Sequence, residues 1–157
     1  LAGAVRHLVG DATGEQAAAD PVLQDLLRLC EPGYERERIE QFLIESLVLV
    51  PAGARLITAA DPGVGDVLQR SQELADQGLR NQVPQTRLMV SLAREMGAVG
   101  ASSFGAGWGG SVYALVPTDD AEDFASQWLQ AYRDREQEAE LSSTIVTRPG
   151  TGACRML

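Results

Sequence analysis

Four glycines in six residues, Gly105-Ala106-Gly107-Trp108-Gly109-Gly110, form the part of this 157-residue chain best suited to touch a ligand through backbone alone. Gly105, Gly107 and Gly110 satisfy the spacing GxGxxG, which in a dinucleotide site brings a pyrophosphate onto a helix N-terminus. That chemistry needs a helix after the glycines, whereas Ser111-Val112-Tyr113-Ala114-Leu115-Val116 patterns as a strand. A Walker-type loop is excluded because GxxxxGK(S/T) requires lysine, and all 13 basic residues here are arginine. Two uses remain open for the turn: a purely structural hairpin, or a loop that closes on a ligand or phosphate. Trp108 at its tip would plug a pocket, meet another domain or anchor the core.

Other reactive side chains are sparse. Without lysine there is no Schiff base and no buried amine base. His7 is the only histidine, and Cys30 and Cys154 have no CxxC partner, so a metal cluster or a Cys/His nucleophile pair is hard to assemble. Two isolated thiols fit a reduced, cytosolic setting better than a disulfide scaffold. Ser102, Ser103 and Ser111 flank the turn with no base beside them. The carboxylates Asp119, Asp120, Glu136, Glu138 and Glu140 are spaced for capping and for a solvated helical face.

The elements that position the turn follow from periodicity. The length suits one domain with one sizeable core. A formal charge of −9 repels polyanions and argues against nucleic acid or anionic lipid as partner. The most apolar stretch, residues 42–60, is interrupted by Glu45, Pro51 and Arg55, so a membrane span is not expected. The chain opens at Leu1, as an excised segment would, and no signal peptide is apparent.

Residues 1–20 read as a loosely ordered lead-in. Pro21 opens a helix carrying Val22, Leu26 and Leu29 that ends at Pro32-Gly33. A longer amphipathic pattern runs through Ile39, Phe42, Leu43, Leu47, Val50, Ala54 and Ile57, with a kink expected at Pro51. Asp61-Pro62 restarts a helix with Val64, Val67, Leu68, Ser71, Leu74 and Ala75 on one stripe, stopped by Gly78. Pro84 opens another, bearing Leu88, Leu92, Ala93 and Met96 and closed by Gly97.

Beyond Gly97 the pattern changes to strands at 98–104 and 111–116 around the glycine turn. Asp119 and Glu122 suggest a capping box for a helix with Phe124, Ala125, Trp128, Leu129 and Tyr132. Thr144-Ile145-Val146-Thr147 reads as a last short strand. The order is that of an α+β chain, a ferredoxin-like split β-α-β antiparallel sheet with additional N-terminal helices. Residues 1–34 form a helical lead-in and 35–157 the domain.

The stretch Ser71-Gln72 through Leu79-Arg80-Asn81-Gln82-Val83-Pro84-Gln85-Thr86, continued by Leu92-Ala93-Arg94-Glu95-Met96-Gly97-Ala98 and by Ala101-Ser102-Ser103 into the glycine turn, resembles the C-terminal domain of the GHMP small-molecule kinases. In the galactokinase subfamily the third motif, TGAGFGGC followed by a strand, sets Phe104 at the Thr, Trp108 at the Phe and Ser111 at the Cys. The likeness runs over residues 35–150. It departs at the family's SHxSL segment, which reads Ser71-Gln72-Glu73-Leu74-Ala75, at Leu79 for a tyrosine, and at Ser102 where many members carry arginine.

The resemblance implies the C-terminal half of an ATP-dependent sugar kinase, galactokinase or a divergent relative, moving the ATP γ-phosphate to a sugar hydroxyl. ATP, Mg²⁺ and the sugar would be its ligands. An N-terminal kinase domain with a PxxxGLSSS-type phosphate loop and a catalytic Asp would be its partner, in the cytoplasm. No catalytic or metal-ligating residue is then expected in this chain, which alone would be inactive. Gly105, Ala106, Gly107, Gly109 and Gly110 would line the nucleotide cleft, with Trp108 packed behind them. The competing expectation is a stand-alone ferredoxin-like module that uses the turn for a small ligand or a subunit contact.

Overall fold

The computed structural model describes residues 21–29, 32–136, 139–148 and 150; His7, Cys30, Cys154 and the 1–20 lead-in lie outside them. Helix α1 (Pro21–Leu29) leads into α2 (Tyr34–Thr58), then α3 (Val64–Leu74), α4 (Pro84–Glu95), the hairpin β1 (Gly100–Phe104) and β2 (Ser111–Leu115), and α5 (Ala121–Arg133). The strands pair antiparallel with Gly100 opposite Leu115 and Phe104 opposite Ser111. The fold is therefore α+β, with a two-stranded antiparallel sheet flanked by helices.

The main core lies where α4, α5 and the hairpin meet. Leu92, Ala93 and Ala101 are almost fully enclosed, with Val90, Trp128, Tyr132 and Ala139 buried around them. Burying a leucine such as Leu92 contributes roughly 2 to 3 kcal/mol. Trp128 satisfies its indole N–H by donating to the Met89 carbonyl at 3.0 Å, which joins α5 to α4. A smaller cluster joins α1 to α2 through Leu27 and Leu43. On α1 the inward residue is Leu27, while Leu29 is exposed; the Val22 and Leu26 side chains lie outside the described residues.

Several local expectations give way to packing. At Pro51, where a kink is expected, α2 continues. A π turn (Glu45–Leu49) immediately precedes the proline, absorbing the missing N–H and the ring's clash with the preceding turn. The turn changes the helical phase, so Leu49 at its end and Gly53 beyond it are buried while Val50 and Ile57 are exposed. By length and composition α2 could cross a membrane, with a window of mean hydropathy 1.3. Here it is fastened to its neighbours through polar groups: Tyr34 to the Leu79 carbonyl, Glu37 to Arg80, and Glu45 to Ser71.

Gly78 does not stop α3. The helix runs on through a second π turn (Ala75–Leu79) and ends at Arg80 in the left-handed region, φ 52°. Gly78 is buried instead, where a side chain would press on Gln41 and the Glu37 carbonyl of α2. The capping box expected from Asp119 and Glu122 is not formed. Thr118–Asp120 is a 3-10 turn, and Asp120 caps α5 without a side-chain bond. Residues 144–147 are not a strand; 142–148 run without regular structure, because β-branched composition makes a strand only where a partner edge receives it.

Candidate functional site: the glycine loop and its supports

Between β1 and β2 the chain adopts a conformation that few side chains permit. Gly105, Gly107, Gly109 and Gly110 all have positive φ, between 84° and 111°, and Trp108 joins them at 65°. For the glycines this is free of steric cost. For tryptophan it is strained, and the loop has to hold it there. The loop leads into a strand, so the GxGxxG spacing is not a dinucleotide fingerprint.

What holds the loop is the linker between α3 and α4. The Trp108 amide donates to the Asn81 carbonyl at 2.6 Å, and the Asn81 side-chain Nδ2 donates to the Ala106 carbonyl at 3.2 Å. Gly107 passes so close that a Cβ on it would overlap the Asn81 side chain, and Gly109 lies over Val83. The loop thus lies on the linker by backbone approach, with glycine required at Gly107 both for φ and for space.

Asn81 is itself held from below. Its Oδ1 accepts from Gln82 Nε2 at 2.9 Å, and Gln82 Oε1 accepts from Gln72 Nε2 at 3.0 Å with the Thr86 hydroxyl at the same distance. Gln72 Oε1 in turn accepts from the Ser103 amide (2.8 Å), Ser102 Oγ (3.0 Å) and Ser103 Oγ (3.1 Å). Gln72, Gln82, Thr86 and Ser102 are the buried polar residues among the described ones, and all four belong to this network. Each finds partners, which a buried amide or hydroxyl requires.

A second polar group lies beside it. Glu45, in the π turn of α2, accepts from Ser71 Oγ at 2.9 Å, while its other oxygen is enclosed without a partner among the described residues. Burial raises the Tyr113 phenol above its ordinary value of 10.0, the Glu45 carboxylate raises it further, and the nearby Ser102 hydroxyl works in the opposite direction.

The sequence-predicted residues divide accordingly. Ser102 and Ser103 spend their hydroxyls on Gln72, so neither is an activated nucleophile. Trp108 does not pack behind the glycines. Its side chain is 70% exposed, because the positive φ turns it outward from the linker. Gly109 and Gly110, with Trp108, border a groove of about 1360 Å³ between the sheet, α5 and residues 141–148, while Gly105, Ala106 and Gly107 lie outside its lining. Asn81 and Gln82 carried no signal as isolated residues. The hint available was a polar Asn-Gln pair immediately before the first turn of a helix.

Chemically, the loop offers amides. Among the described residues the N–H groups of Gly105, Ala106, Gly107, Gly109 and Gly110 have no hydrogen-bond acceptor. Successive N–H groups in such conformations make a concavity suited to anionic oxygens. Among the described residues no three Asp, Glu, His or Cys side chains converge as a cation site.

A glycine hairpin seated on a helix linker within an α+β domain defines a class, and residues 60–134 match the family described as GHMP kinases C terminal. Those residues, a little under half of the chain, are similar to the kinase C-terminal domains of that family. The chain is also similar to galactokinases: it is 27% identical to the galactokinase of Mycobacterium tuberculosis strain H37Ra over 92% of this chain and 42% of that protein. It is also 29% identical to that of Candida parapsilosis over 85% of this chain and 27% of that protein. The fold matches the crystal structure of Lactococcus lactis galactokinase complexed with galactose, with a TM-score of 0.63 and 20% identity over 81% of this chain and 31% of that one. The chain spans less than half the length of these relatives.

Proposed function

We propose that this chain is the C-terminal domain of an ATP-dependent sugar kinase of galactokinase type, and that residues 105–110 form one wall of its nucleotide cleft. The observation that carries the reading is the row of partnerless amides at Gly105, Ala106, Gly107, Gly109 and Gly110 on a loop fixed from beneath. In phosphoryl transfer a sugar hydroxyl oxygen bonds to the γ-phosphorus as the bond to the ADP oxygen breaks, and charge spreads over the transferring oxygens. Fixed amide donors aimed at that charge stabilise it without reorganising.

The phosphate loop, the carboxylate that takes the hydroxyl proton, and the Mg²⁺ site belong in this reading to an N-terminal domain. In this reading the present chain is asked for neither the catalytic carboxylate nor the cation ligands, and among its described residues no three such groups converge. Its role is to orient the phosphate-side wall and to exclude water.

The test is to join this chain to the preceding part of its own reading frame. The full-length product is then assayed with ATP and Mg²⁺ against a panel of hexoses and pentoses, galactose included. Sugar-dependent ADP release supports the reading; none with any sugar, or an unrelated domain upstream, overturns it. In the active enzyme Gly107→Val is expected to lower kcat about tenfold or more, since a loss of roughly 1.4 kcal/mol suffices. Unchanged turnover would leave the loop a plain hairpin.

A further inference from the structure

We propose that Asn81 is the positioning residue of the glycine loop: it sets where the loop amides point and couples that position, through Gln82 and Gln72, to strand β1. This rests on the kinase reading above. The loop cannot place itself. Four of its six residues have no side chain, Ala106 offers a methyl, and Trp108 is turned out to solvent. Glycine-rich backbone also loses the most conformational freedom on ordering, so its placement has to be imposed from outside.

Asn81 is the residue that imposes it. It grips the loop at two points two residues apart, with its carbonyl on the Trp108 amide and its Nδ2 on the Ala106 carbonyl. Between those points its side chain fills the space under Gly107. Its own orientation is not free, because Oδ1 is occupied by Gln82 Nε2, and that leaves Nδ2 directed at the loop. From Gln82 the same chain of bonds reaches Gln72 and the backbone of Ser103. The loop is thus tied to its own strand by a route through the linker and helix α3. A shift of about 1 Å at a reacting group can cost a hundredfold in rate, so this tie acts on catalysis without touching substrate.

Asn81→Ala and Asn81→Asp in the full-length enzyme separate the roles. Aspartate keeps the size and the acceptor for Gln82 but removes the Nδ2 donor and sets a carboxylate against the Ala106 carbonyl. Both variants are expected to lower kcat about tenfold while the sugar KM moves less than about threefold, the signature of a contact expressed in the transition state. Hydrogen exchange of the Trp108 amide is expected to accelerate in both, with helical content unchanged by circular dichroism. Near-wild-type kcat and exchange in Asn81→Asp would overturn the proposal and leave Asn81 as a space-filler. If the wild-type enzyme phosphorylates no sugar, the kinase reading fails and the catalytic part of the proposal with it. Exchange of the Trp108 amide still decides the anchoring: faster in the variants supports it, unchanged overturns it.

Discussion

Along the outer edge of β1, helix α3 approaches to backbone contact: a Cβ on Gly65 would overlap the Val99 carbonyl oxygen, and Gln72 answers the Ser103 amide at 2.8 Å. Along the outer edge of β2 no strand pairs among the described residues, and the edge borders the groove beside residues 141–148. An exposed strand edge is a row of unmet donors and acceptors that proteins usually cover. A helix can cover one if it carries a glycine where backbones meet and an amide side chain two turns on. Gly65 and Gln72 are spaced seven residues apart on one helical face for that purpose. The β1 edge is therefore locked in register, and the lock continues into the glycine loop. The β2 edge has no such lock among the described residues.

Substitutions can break or sharpen this contrast. Gly65→Val should have the largest effect, a destabilisation of about 3 kcal/mol or more in urea unfolding, because the obstacle is backbone that cannot yield locally. Gln72→Leu should cost about 2 kcal/mol by the same measurement, since the half-buried Ser103 amide and the buried Gln82 side-chain carbonyl lose partners that leucine cannot supply. A neutral result there would mean that water replaces the amide and the lock is dispensable.

The Tyr113 phenol provides a smaller, pH-dependent test. Its folded value is raised by burial and then by Glu45, so the stability it confers is fully present below its unfolded value and is lost as pH rises through the folded one. Unfolding free energy should therefore decline above about pH 10. Tyr113→Phe should flatten that decline, leaving the share due to Tyr132, also raised by burial and by Glu136. Smallest of all should be Ile145→Lys. Ile145 is 87% exposed beside the β2 edge, and a change within about 0.5 kcal/mol is expected. A loss of several times that would show that residues 144–147 do cover β2 in solution, and the contrast between the edges would disappear.

The features legible in the sequence are those fixed by near neighbours. Pro84 and Gly97 bound α4 as expected, the apolar repeat placed Leu92 and Ala93 inside, and four glycines between two β-patterned runs gave the hairpin. The expectations that failed each depended on a distant partner. Gly78 looked like a helix stop but is a contact with α2; Trp108, expected to pack behind the glycines, is turned outward by φ; residues 144–147 had strand composition but pair with no strand among the described residues. Gln72 was visible as a departure at a motif position. Its role was not, because its partners lie 10 and 31 residues away.

The sequence by itself determined the α+β order, the glycine turn and the absence of lysine chemistry, since periodicity, φ preference and residue type act over a few positions of chain. Only the tertiary structure decided that the turn is seated on Asn81, that α3 seals β1 while no strand among the described residues pairs with the outer edge of β2, and that the loop amides meet no acceptor among those residues. Those are properties of which buried polar groups meet across the fold, and a polar residue's partner is chosen by packing geometry rather than by its neighbours in sequence.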